Sequence, residues 1–66
     1  MKLLVNGEAR DVPEGITVAK LLEILGTPQG TVAVEVNTAV VRRAKHAEAA
    51  LREGDAVEVV TFVGGG

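Results

Sequence analysis

The 66-residue chain is long enough for one small domain with a single core. Its 7 basic and 9 acidic residues give a formal net charge of −2, and Phe62 is its only aromatic residue, which argues against nucleic-acid binding. It has no cysteine for disulfides, thiolate metal sites or thiol nucleophiles, and the apolar start at residues 3–5 is too short for a signal peptide or a membrane span. We therefore expect a cytoplasmic protein that binds neither nucleic acid nor membrane.

The start of the chain predicts a β-hairpin. Residues 2–5 and 8–12 are predicted strands. Asn6 and Gly7 between them tolerate the positive φ angles of a two-residue turn. The second strand is expected to stop at Pro13, which lacks a backbone donor.

A single helix is predicted next. Thr17 is placed to cap it with its hydroxyl, and the apolar residues of the segment 18–25 fall on one helical face. Gly26 is the natural stop, because glycine readily adopts the left-handed conformation that ends helices.

The second half of the chain predicts three more strands. Residues 31–36 place three valines on one face and Ala33 and Glu35 on the other, and residues 40–43 continue as a short strand. Residues 44–53 are an irregular or partly helical connection anchored by Leu51, and residues 56–63 form the last strand.

This order of elements predicts an α+β fold, with one main helix packed across a mixed sheet of four or five strands. The chain is too short for repeated βαβ units. The first and last strands can lie parallel at the sheet centre, because a helix-containing crossover separates them. This is the ubiquitin-like β-grasp.

The side chains offer little chemistry, so the domain is not expected to be an enzyme. The chain has no Ser or Cys and only one histidine, and His46 and Glu48 do not share a helical face that would hold a metal. The remaining reactive group is the α-carboxylate of Gly66, which needs activation by ATP. Gly64 and Gly65 lack side chains and so can thread a partner's active site.

Several stretches resemble the ThiS family of thiamine-biosynthesis sulfur carriers: "LLVNGE", "GITVAKLLEILG", "VAVEVN" and "REGDAVEVVTFVGG". The resemblance covers essentially the whole chain. It implies that an E1-like adenylyltransferase (ThiF type) uses ATP to form the Gly66 acyl-adenylate. Sulfur from a desulfurase then gives a thiocarboxylate, which thiazole synthase (ThiG type) uses, with no cofactor bound by the carrier. The chain departs from the family pattern at Arg42, where members have proline, and at His46, where they have tryptophan.

Four residues are candidates for docking these partners. Strand alternation places Val60 and Phe62 on the open face of the sheet, and Leu4 can join them in a small apolar patch if the first and last strands are neighbours. The alternative is that Phe62 folds over the sheet edge as part of the core. Arg43 aligns with a family arginine, although a solvated surface arginine is the common alternative.

The sequence divides into a β-grasp domain at residues 1–63 and a flexible glycine tail at residues 64–66. His46 is expected to be a surface residue in a loop. Three alternatives to thiamine sulfur carriage stay open: a carrier of the molybdopterin-synthase small-subunit type, a ubiquitin-like modifier joined to lysines, and an interaction module with an inert tail.

Overall fold

The computed structural model describes residues 1–61, with the backbone alone at Gln29. One helix packs across a five-stranded sheet, and two short 3₁₀ turns lie in the connections. The elements are β1 (Lys2–Val5), β2 (Glu8–Asp11), α1 (Val18–Leu25), the turn Gln29–Thr31, β3 (Val32–Val36), β4 (Ala39–Val41), the turn Arg43–Lys45 and β5 (Ala56–Thr61).

The last strand lies at the centre of the sheet. The strand order is β2-β1-β5-β3-β4, and β1 and β5 are parallel, with Leu4 opposite Ala56 and Val5 opposite Val57. The other neighbouring pairs are antiparallel. The predicted β-grasp, including its parallel first and last strands, is confirmed.

Helix α1 begins and ends where its sequence predicts. The Thr17 hydroxyl accepts a hydrogen bond from the Lys20 amide at 3.2 Å, and Gly26 ends the helix with a φ of 72°. Val18, Leu21 and Leu22 are completely buried against the sheet. Eight residues make a marginal helix alone, so this apolar face supplies most of its stability.

The hydrophobic core lies between α1 and one face of the sheet. Leu3 and Val5 of β1 and Val57 of β5 point into it, whereas Leu4 lies on the opposite, open face. The buried residues that form the core are Leu3, Val5, Val12, Ile16, Val18, Leu21, Leu22, Val32, Val34, Leu51 and Val57. Leu51 therefore anchors the long connection, as predicted. No helix within residues 1–61 has the length and apolarity needed to cross a bilayer.

Three predicted strands differ from the structure at their ends. β3 begins at Val32 because a 3₁₀ turn occupies the preceding residues, and β2 ends at Asp11. The predicted strand 40–43 is displaced: β4 is Ala39–Val41, and the chain then enters the turn Arg43–Lys45. The predicted end of the last strand, residues 62 and 63, lies outside the described residues.

The prediction that His46 is a surface residue is wrong. Its side chain is 1% exposed, and its Nε2 lies 3.2 Å from the carbonyl oxygen of Val41. The connection folds over the start of α1, where the His46 carbonyl accepts a hydrogen bond from the Ala19 amide at 2.9 Å. The buried Nδ1 has no hydrogen-bond partner within the described residues.

Candidate functional site

The predicted tail lies beyond the described end of the central strand. Thr61, the last described residue of β5, pairs with Val32 of β3. The predicted reactive carboxylate of Gly66, the threading glycines 64 and 65, and the docking residue Phe62 lie outside the described residues. The structure therefore describes the strand that carries the tail, and the roles of those four residues stay predictions.

Asn6 contacts β5 near its tail end. Its Oδ1 accepts a hydrogen bond from the Val59 amide at 2.8 Å, and its Nδ2 donates to the Val59 carbonyl at 3.3 Å. Asn37, in the turn between β3 and β4, accepts a hydrogen bond from the Ala56 amide at 3.0 Å at the other end of the strand. β5 is therefore bonded to one asparagine from each of two turns: to Asn37 at its first residue, Ala56, and to Asn6 at Val59, two residues before Thr61.

The structure places Leu4 and Val60 on the open face without bringing them together. Both are exposed, at 45% and 58% respectively. β1 and β5 are neighbours, but Leu4 lies opposite Ala56, and Val60 follows four residues later. That separation is roughly 13 Å along the strand, and Glu58 lies between the two positions. The predicted apolar patch is therefore not continuous within residues 1–61.

Two glutamates face each other near the middle of this open face, a feature that sequence reasoning missed. Glu35 of β3 is the direct partner of Glu58 of β5, and neither forms a salt bridge within residues 1–61. Val40, which is 68% exposed, lies across from Glu35 on β4. Alternation indicates that both glutamates face outward, but their pairing depends on a register that the sequence does not reveal.

Arg43 lies near the tail end of the sheet. The guanidinium of Arg43 covers Gly30, in the turn that precedes β3. Its Nη1 atom lies 3.6 Å from the position that a Cβ atom would occupy at Gly30. β3 begins two residues later at Val32, the partner of Thr61. The exposed Arg43 is therefore at the end of the sheet from which the tail continues.

The remaining candidate features within residues 1–61 are acidic and histidine side chains and one groove. Within residues 1–61, no three His, Asp or Glu side chains come together in a way that would hold a metal ion. His46 is buried and directed at a backbone carbonyl, so it is not placed to act on a substrate at the surface. A groove of about 220 Å³ beside the start of β1 is lined by Lys2, Leu3, Leu4, Ala9, Glu53 and Gly54.

A family model described as "ThiS family" matches residues 3–66. The chain belongs to the ThiS family. The resemblance drawn from the "VNGE" start and the "REGDAVEVVTFVGG" ending is thereby confirmed.

Solved structures of a ThiS-family protein share this fold. A crystal structure of the thiamine biosynthesis protein ThiS from Geobacter metallireducens is 39% identical, covers 100% of both chains and has a TM-score of 0.86. An NMR solution structure of a thiamine biosynthesis protein from the same organism, also 39% identical, covers 100% of this chain and 88% of that one, with a TM-score of 0.81.

Two longer proteins contain a region similar to this ThiS-family chain. Both are named thiazole synthase; they come from Paramagnetospirillum magneticum and Magnetococcus marinus and are 44% and 46% identical over all 66 residues. The matched region makes up 20% of each protein, so this chain spans about a fifth of the length of these curated relatives.

Proposed function

We propose that this ThiS-family domain is a sulfur carrier for thiazole formation in thiamine biosynthesis. The α-carboxylate of Gly66 would be adenylated and converted to a thiocarboxylate, which donates the sulfur. The observation that carries the proposal is the match to the ThiS family across residues 3–66, which includes the glycines at 64–66. The similarity to a Geobacter protein of thiamine biosynthesis supports the same pathway.

The proposed chemistry makes the domain a substrate of its partners and not a catalyst. A carboxylate is a poor electrophile, so an oxygen of Gly66 first attacks the α-phosphorus of ATP and displaces pyrophosphate. A sulfur nucleophile then attacks the acyl carbon and displaces AMP. Glycine suits both steps because it has no side chain to shield that carbon. ATP is held by the activating enzyme, and the carrier binds no cofactor of its own.

Thiazole synthase is the proposed acceptor of the sulfur. The two relatives named thiazole synthase each contain a region similar to the whole of this chain. Placing carrier and acceptor in one polypeptide raises their effective concentration, which supports a direct interaction between them. An E1-like adenylyltransferase of the ThiF type and a desulfurase complete the proposed set of partners, in the cytoplasm. Exposed Val60, Leu4 and Arg43, together with Phe62, are the proposed docking residues.

Intact mass measurement tests the proposal. The protein ending at Gly66 is incubated with its adenylyltransferase, ATP and sulfide, and its mass is expected to rise by the difference between a sulfur and an oxygen atom. Oxidation of Met1 adds nearly the same mass, so fragmentation must place the change at Gly66. Because the chain has no cysteine, a thiol-selective alkylating reagent reports the thiocarboxylate alone.

The matched control is a variant with one alanine added after Gly66. The added residue moves the carboxylate away from its reactive position and leaves the domain unchanged. We expect normal folding and no sulfur loading. Loading of the extended variant would refute the terminal-carboxylate mechanism, and no loading of the unextended protein by an active enzyme would refute sulfur carriage. Lysine-linked conjugates without loading would instead favour the modifier function.

A further inference from the structure

The hydrogen bonds between β1 and β5 continue past the point where β1 turns away. The Leu4 amide donates to the Asp55 carbonyl at 3.0 Å, and the Asn6 amide donates to the Val57 carbonyl at 2.9 Å. At Asn6 the backbone leaves the strand with a φ of 50°. The next groups of β5 on this side, the amide and carbonyl of Val59, bond instead to the Asn6 side chain.

The side-chain amide of Asn6 thus substitutes for one more peptide group of β1. An asparagine amide carries an acceptor oxygen and a donor nitrogen in one plane, as a peptide group does. Aspartate would keep the acceptor and lose the donor. Asparagine is also among the few residues with a side chain that adopt a positive φ readily. Asn6 can therefore form the turn and, at the same time, pair with β5.

We propose that Asn6 is a positioning residue for the tail. Its amide holds β5 on the β1 side as far as Val59, while β3 holds the other side as far as Thr61. The chain therefore continues beyond Thr61 from a strand that is restrained on both sides, and this restraint would set how the carboxylate of Gly66 is presented to the activating enzyme. The inference rests on the proposed function, and in it Asn6 acts through β5 and not directly on ATP or the reacting carboxylate.

The chain contains a matched control for this residue. Asn37 also has a positive φ, of 51°, also lies in a turn and also bonds to β5, where its Oδ1 accepts from the Ala56 amide at 3.0 Å. Its Nδ2 donates to Asp55 at 2.9 Å. Ala56 is the first residue of β5, roughly 17 Å along the strand from Thr61. Loss of the Asn37 side chain therefore loosens the same strand at the end remote from the tail.

The test compares Asn6→Gly, Asn6→Asp and Asn37→Gly. Glycine tolerates the positive φ, so both turns should persist. In sulfur loading by the adenylyltransferase, we expect Asn6→Gly to lower kcat about tenfold or more, since small misplacements of a reacting group cost large factors in rate. KM should change less than twofold, because the docking surface is intact. Asn6→Asp should be intermediate, and Asn37→Gly should stay within twofold of the parent in kcat.

Amide hydrogen exchange supplies a readout that does not depend on loading. Asn6→Gly should speed exchange at Val59, whose amide loses its acceptor, and at Val60, which pairs with Ala33 of β3; Asn37→Gly should speed it at Ala56 instead. Unchanged exchange at Val60 in Asn6→Gly overturns the inference, and so does equal loading by the two glycine variants when both are fully folded. If the parent protein is not loaded at all, the proposed function fails, and the exchange result still decides whether Asn6 restrains the end of β5.

Discussion

Reversing one charge of the Glu35–Glu58 pair should stabilise the domain. The two residues are direct cross-strand partners on the open face, with no salt bridge to either within residues 1–61. Like charges in this arrangement repel each other, whereas opposite charges attract. Glu35→Lys and Glu58→Lys each convert repulsion into attraction. The double variant restores repulsion, now between two positive charges. Glutamate and lysine have similarly modest strand propensities, so the comparison reports mainly on charge.

The size of the effect follows from the sheet geometry. Cβ atoms of direct partners lie about 5 Å apart, which puts the charged groups at roughly 7 Å. Two unit charges at that distance in water interact by about 0.6 kcal/mol. With screening at 10 mM salt, each single reversal should raise the free energy of unfolding by about 0.9 kcal/mol. The gain should fall to about 0.5 kcal/mol at 0.15 M and to about 0.1 kcal/mol at 1 M salt.

Urea denaturation followed by far-UV circular dichroism is the suitable assay, since the chain has no Trp or Tyr for fluorescence. Glu14→Lys, in an exposed turn, is the control for net charge alone. If Glu14→Lys stabilises as much as Glu58→Lys, the gain comes from net charge and not from the pair. A double variant as stable as the sum of both single gains would equally refute the pairing argument.

Three further predictions use the same assay. His46→Ala should lower the free energy of unfolding by about 2 to 4 kcal/mol, because it empties a buried site and removes the hydrogen bond to the Val41 carbonyl. His46→Gln keeps a donor and should lower it less; equal losses would contradict a role for that hydrogen bond. Val59→Ala should lower the free energy of unfolding by about 1 to 3 kcal/mol, whereas deletion of residues 64–66 should leave it unchanged. A comparable loss on deletion would contradict the division of the chain into a domain at residues 1–63 and a tail at residues 64–66. Thr17→Ala should cost about 1 kcal/mol through loss of the helix cap, while Thr17→Ser should cost little.

Local signals in the sequence predicted much of the fold. Thr17 and Gly26 mark the ends of α1 because the hydroxyl cap and the left-handed glycine act within a few residues of the helix. Asn6 and Gly7 likewise mark the first turn, and both have positive φ angles in the structure. These features depend on neighbours in sequence, and a single sequence displays such neighbours directly.

The features that were missed depend on contacts between distant residues. The separation of Leu4 from Val60 and the meeting of Glu35 with Glu58 both follow from the register of β5, which is set by packing across the sheet. His46 lies in a segment without helical or strand periodicity, so no pattern indicated that its ring points inward. From the sequence, Asn6 indicates only a turn, because its side-chain bonds to Val59 span 53 residues.

The central position of β5 also constrains how the domain folds. The two hairpins, β1–β2 and β3–β4, consist of neighbouring segments and can pair early, but each needs β5 to join the other. Synthesis delivers β5 after both hairpins, and closing β1 onto it brings together residues as far apart as Leu4 and Ala56. The sheet is therefore incomplete until its last strand takes its place between the two hairpins. Because that strand also leads into the glycines, a partner that binds the assembled sheet selects chains that have finished folding.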